Sequence, residues 1–186
     1  MTSAPLPQPR FRASPTLRAI VAGLAMAVAV PVFADNLGDA QRLIKRGDYA
    51  QALESVNAQL AETPDEAKAR FLKGVILTET NQTDDAIAVF TKLTEDYPEM
   101  PEPYNNLAVL YARQKLYDKA RMALEMAIQA NPSYVVAYEN LGDLHAKQAS
   151  QAYAKAVQLD ANGKSAKLKL ALANDLLKTP AKPAGR

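Results

Sequence analysis

The residues able to carry out chemistry are few, and they do not converge. The chain has one histidine, His145, and no cysteine. A lone imidazole becomes a general base or a metal ligand only when a second group is brought against it. No metal-ligand spacing, phosphate-cradling glycine loop or nucleophile elbow accompanies this one. His145 is therefore expected as a packed residue with one nitrogen satisfied. The acidic pairs Asp84-Asp85 and Glu95-Asp96 are adjacent in sequence and diverge on a helix, so they read as solvated faces rather than as an acid and a base sharing a substrate. These observations point away from an enzyme: no catalytic residue, no metal and no cofactor is expected.

The elements that position such residues follow from composition. Of 186 residues 48% are hydrophobic but only 6% aromatic, and alanine and leucine supply most of the apolar content, which favours helices over sheets. The formal charge of +2 is misleading, because Arg10, Arg12 and Arg18 lie in a stretch without acids; the remainder carries 19 basic against 20 acidic residues. That balance gives no electrostatic reason to expect nucleic acid as a partner.

Residues 1 to 18 are rich in proline, serine and arginine, residues 19 to 34 are uncharged, and the first acid is Asp35. This is the layout of a secretory signal peptide. Val32 and Ala34 suit the small pockets of a signal peptidase, which places the cut between Ala34 and Asp35 and the mature protein in the periplasm. The alternative is a leader retained as an anchor. Sixteen apolar residues interrupted by Pro31 fall short of the ~20 that span a bilayer, so no membrane span is expected in the mature form.

From there the same residue types recur every 34 positions. Pro64, Pro98 and Pro132 form one column, Ala52, Ala86 and Ala120 another, and the small residues Ala40, Gly74, Ala108 and Gly142 a third. Leu43, Leu77, Tyr111 and His145 follow three residues after the small ones. Several columns sharing one period indicate a helical solenoid. The columns resemble the tetratricopeptide repeat: Tyr104-x2-Leu107-Ala108-x2-Tyr111, then Ala120-x3-Leu124, then Pro132, and again Tyr138-x2-Leu141-Gly142. The resemblance implies an all-α, right-handed solenoid of helix-turn-helix units at about 35–64, 65–98, 99–132 and 133–160, the first three full and the last shortened.

Helix pairs are expected at 36–46 with 49–62, 66–80 with 83–96, and 101–114 with 117–130. Small residues on first helices should meet the recurring alanines of second helices, so that the backbones approach closely. In the fourth unit Ala156 to Asp160 matches Ala127 to Asn131 after 29 residues rather than 34, so five are missing where the turn belongs. Either a cramped turn stands near Gln148 to Ser150 or the two helices fuse. A final helix at 161–178 is expected to cap the array through Leu168, Leu172, Leu176 and Leu177, with Lys164, Lys167, Lys169 and Lys178 in water, before a disordered tail at 179–186.

The resemblance also implies a function. First helices of such repeats line a concave groove that receives a protein or peptide, so the chain is expected to be a periplasmic adaptor or scaffold for a partner of the cell envelope; a membrane-anchored accessory subunit is the alternative. Carried onto this sequence, the groove would use Phe71 as an apolar anchor, Asn105, Asn106 and Asn140 as amide donors and acceptors, and Arg113 and Lys147 as cations.

Overall fold

In the computed structural model, which describes residues 36 to 178, the chain reverses wherever a residue enters the left-handed backbone region: Gly47 at φ 84°, Asn81 at 60° and Lys115 at 62°. The following backbone N–H closes each turn: Asp48 donates to Leu43 O, Gln82 to Leu77 O and Leu116 to Tyr111 O, at 2.9, 2.8 and 2.9 Å. This is a Schellman-type stop, which glycine and asparagine accept readily and lysine does not. The leader with its cut at Ala34 and the tail at 179–186 lie outside the described residues.

These reversals separate paired helices: α1 (Asn36–Arg46) with α2 (Tyr49–Glu62), α3 (Ala67–Glu79) with α4 (Thr83–Asp96), and α5 (Pro101–Arg113) with α6 (Tyr117–Ala130). The bounds fall within a residue of those read from the sequence. Between pairs the columnar prolines occupy a second kind of turn, in which Glu66, Met100 and Tyr134 donate to Thr63 O, Tyr97 O and Asn131 O. Proline fits there because a ring without an N–H cannot continue the preceding helix. The result is an all-α solenoid in which each helix packs on the next and, at α1 with α3 and α5 with α7 below, first helices also meet one another.

The small-residue columns sit where the helices come closest. Ala40, Ala52, Ala86 and Ala120 are wholly buried and Ala108 nearly so. At Gly74 the closeness has a specific partner: an added Cβ would stand 2.6 Å from Cε1 and Cζ of Phe90. The atoms nearest that glycine thus come from the aromatic ring four residues beyond Ala86, rather than from Ala86. Phe90 is itself fully buried and tilted against Phe71, with ring centroids 5.7 Å apart.

The fourth unit takes the fused form. Helix α7 runs unbroken from Val135 to Leu159, 25 residues, and no residue near Gln148 to Ser150 leaves the helical region. The five missing residues correspond to Lys115 to Lys119, which include the left-handed one, so nothing stops the helix. A turn of the between-pair kind follows, with Gly163 N–H donating to Asp160 O, and leads into α8 (Lys164–Leu176). Helix α8 lies on the second half of α7, where Ser150 donates to Asn174 Oδ1 at 2.6 Å and Lys169 sits 5.8 Å over the Tyr153 ring.

Two expectations are corrected here. Leu168, Leu172 and Leu176 do not face the array; they are 63%, 56% and 66% exposed. The face turned to α7 carries Ala166, Leu170, Ala173 and Leu177, of which Ala173 is buried. That face is also apolar at helical spacing, and its alanines permit a closer approach than three leucines do. His145 is exposed rather than packed, because the helix that covers its column in earlier repeats is absent from the fourth.

Candidate functional site

An apolar concavity lies where three helices meet. Its floor is apolar: Ala108 and Ala112 from α5, Ala120 and Leu124 from α6, and Leu144 from α7. Small side chains create it, since three of those five are alanines and leave space that bulkier residues would fill. The volume is about 300 Å³, roughly twice that of a ~150 Å³ cavity able to hold a benzene ring. Tyr117 and Val109 complete the walls. The helical continuation of α7 steadies one end, as Gln151 Nε2 donates to the Tyr117 hydroxyl at 3.0 Å.

The rim is charged. Arg113, Asp143 and Lys147 line the pocket with Asn140. Arg113 and Lys147 are exposed, and neither forms an ion pair among the described residues. Asp143 is held above the ordinary carboxylate range, first by desolvation and then by the negative charge of Glu139. A carboxylate neutralised by the two cations would move the other way. Both signs of charge are therefore uncompensated at the mouth of an apolar hole, an arrangement suited to holding a polar chain with one greasy side chain inserted.

The six residues singled out from the sequence divide into two groups. Arg113, Asn140 and Lys147 converge on the pocket. Phe71, Asn105 and Asn106 do not line it. Phe71 is half-buried against Phe90, so it is part of the second repeat's packing rather than a free anchor. Asn105 is wholly buried, and its Oδ1 accepts from Asn140 Nδ2 at 2.7 Å, tying α5 to α7. Its own Nδ2 has no partner among the described residues. Asn106 Nδ2 donates to Glu102 O, one turn back, at 2.9 Å. The amides of Asn106 and Asn140, expected to face a ligand, are thus turned inward, because burial in a close helix contact leaves their donors the chain's own acceptors.

Ala112, Tyr117, Leu144 and the packing-column residues Ala108, Ala120 and Leu124 were not legible as site residues. Asp143 and Val109 belong to the groove-facing positions of first helices. The others read as core, and the alanine columns read as places of close helix approach rather than as an opening. No group of three or more His, Cys, Asp or Glu side chains able to hold a metal occurs among the described residues. Nor is any described helix long and apolar enough to cross a membrane.

Stacked helical hairpins and an apolar pocket with an unpaired polar rim define a repeat scaffold for contact with other proteins. The model of the tetratricopeptide-repeat family matches residues 37–101 and 79–135, more than half of the sequence, and the chain belongs to that family. It is 35% identical over 77 residues to the tetratricopeptide repeat domain-containing protein PYG7, chloroplastic, of Arabidopsis thaliana, a match covering 39% of this chain and 26% of that protein. The chain thus spans about a quarter of that relative's length. Among solved structures it resembles the Pseudomonas aeruginosa pilF protein, with a TM-score of 0.57 at 24% identity over 77% of this chain and 67% of that one. It also resembles TTC0263, a thermophilic repeat protein of Thermus thermophilus, with a TM-score of 0.55 at 18% identity over 75% and 79%. At these identities the structures speak for the fold alone.

Proposed function

We propose that the protein is exported to the periplasm and acts there as an adaptor, holding a segment of another cell-envelope protein along its first helices with one apolar side chain in the pocket between α5, α6 and α7. The observation that carries this reading is the pocket: an apolar floor of about 300 Å³ beneath Arg113, Lys147 and Asp143, whose charges are not paired with one another. The apolar floor supplies affinity by removing surface from water, and the rim supplies orientation. Export is supported by the uncharged stretch 19–34 ending in small residues before Asp35.

The test places a photo-crosslinking residue at Val109 and irradiates intact cells. Discrete adducts are expected in the envelope fraction, falling at least ~10-fold when Arg113→Glu and Lys147→Glu are combined, with melting unchanged. Adducts of equal yield in the parent and the double variant would remove the pocket from the reading. A product whose N-terminus is Asp35 is expected in the same fraction, and an intact N-terminus held in the membrane would favour the anchored accessory subunit instead.

A further inference from the structure

Helix α8 is apolar on two faces, and the fold covers only one of them. Its one substantial contact is with α7, which takes up Ala166, Leu170, Ala173 and Leu177. Leu168, Leu172 and Leu176, four residues apart and so in line along the helix, are left exposed, as is Leu159 at the end of α7 where the chain turns into α8. Lysines border this stripe. At ~100° per residue, Lys164 stands about 40° to one side of it and Lys169 about 20° to the other. Both are exposed, although Lys169 leans over the Tyr153 ring. Asp175 lies on the Lys164 edge but is paired with Lys178 at 2.6 Å.

Charge is also divided along the chain. Residues 36–148 carry 12 lysines and arginines against 17 acids, whereas residues 149–178 carry five against two. An occupant of the stripe must therefore be apolar along its middle and negative at its edges. A second copy does not meet that condition: both edges carry a lysine, so two α8 helices would meet lysine to lysine, and three leucines fall well short of the ~1,200 Å² that a stable protein interface buries. Nor does a neighbouring helix stand beside the stripe to give a partner's side chain a second wall. A lipid surface needs none.

We propose that α8 lies on an anionic membrane surface, with Leu168, Leu172 and Leu176 among the acyl chains and Lys164, Lys167 and Lys169 at the phosphate headgroups. Apolar burial and headgroup attraction act together in such a helix, and lysine stems are long enough to keep their charges at the interface. The acidic body is repelled by the same surface, which turns the α8 end of the molecule toward it. Asn140, Leu144 and Lys147 stand on the side of α7 opposite Ala149, Tyr153 and Ala156, against which α8 packs, so the pocket stays free and the proposal does not rest on it.

Because the chain has no cysteine, a fluorophore sensitive to polarity can be attached to the full chain at Ser165→Cys, beside the stripe, or at Glu54→Cys on α2 as a control; both positions are exposed. With vesicles of mixed phosphatidylglycerol and phosphatidylcholine, the Ser165 label should shift to the blue and the Glu54 label should not. The apparent affinity read from the Ser165 shift should fall at least ~10-fold when Leu168, Leu172 and Leu176 are all changed to Ala, with helicity unchanged, and by a similar factor on pure phosphatidylcholine. No shift would overturn the proposal, as would equal shifts at both labels, which would mean attachment elsewhere in the chain, or a shift independent of phosphatidylglycerol. A blue shift that grows with protein concentration without vesicles would assign the stripe to a second copy instead. A photo-crosslinking residue at Leu172, irradiated in intact cells, should give no discrete protein adduct; such an adduct would assign the stripe to a protein partner and likewise overturn the proposal.

Discussion

Adding one methyl group at each of two helical glycines, Gly74→Ala and Gly142→Ala, should have opposite effects. Both changes remove a glycine from a helix interior, which by itself stabilises by about 1 kcal/mol. At Gly142 nothing else happens, since no atom lies within 4 Å and Ala108 already fills that column in the third repeat. At Gly74 the new Cβ would come to 2.6 Å from two carbons of the Phe90 ring. The ring cannot swing aside cheaply: it is fully buried and rests on Phe71 at 5.7 Å. Overpacking of this kind costs about 1 to 3 kcal/mol. The propensity gain is common to both variants, so their difference isolates the contact. Thermal unfolding followed by circular dichroism, at one fixed protein concentration, should separate the two midpoints by about 2 to 12 °C, with Gly142→Ala the higher. Equal midpoints, or Gly74→Ala the more stable, would refute the assignment of Gly74 as the closest approach within the second repeat.

Two further outcomes follow from buried polarity and backbone strain. Asn140→Ala should lower stability by about 1 to 3 kcal/mol, because it leaves the wholly buried Asn105 without its one hydrogen-bond partner; Asn106→Ala, which loses only a bond to the preceding turn, should cost less, and equal losses in urea unfolding would contradict this. Lys115→Gly should raise stability by about 1 kcal/mol, since a lysine at φ 62° bears left-handed strain that glycine escapes; an unchanged or lower urea midpoint at constant slope would show the turn to be unstrained.

Much of the architecture was legible because it rests on local rules repeated at a fixed interval. A residue that tolerates positive φ, a small residue where helices approach and a proline that ends a helix each act within a few positions of themselves. Written every 34 residues, they placed six helices within a residue of their observed bounds. The site was legible only in part. Arg113 and Lys147 could be assigned because long charged side chains on a first helix must reach water. The asparagines could not, since the same residue type serves a ligand when exposed and an internal bond when buried, and only the approach of α7 to α5 decided between them.

Read alone, the residues specify the helical units, their order and the loss of five positions from the fourth. Their information there is local, carried by propensity, caps and spacing. Folding in three dimensions settled that α7 runs on without a turn, which of two apolar faces α8 presents, that Asn105 and Asn140 bond to each other, and that three alanines leave a pocket instead of closing it. Each of these depends on which surfaces, distant along the chain, compete for the same buried contact, and no periodicity in the residues records the outcome of that competition.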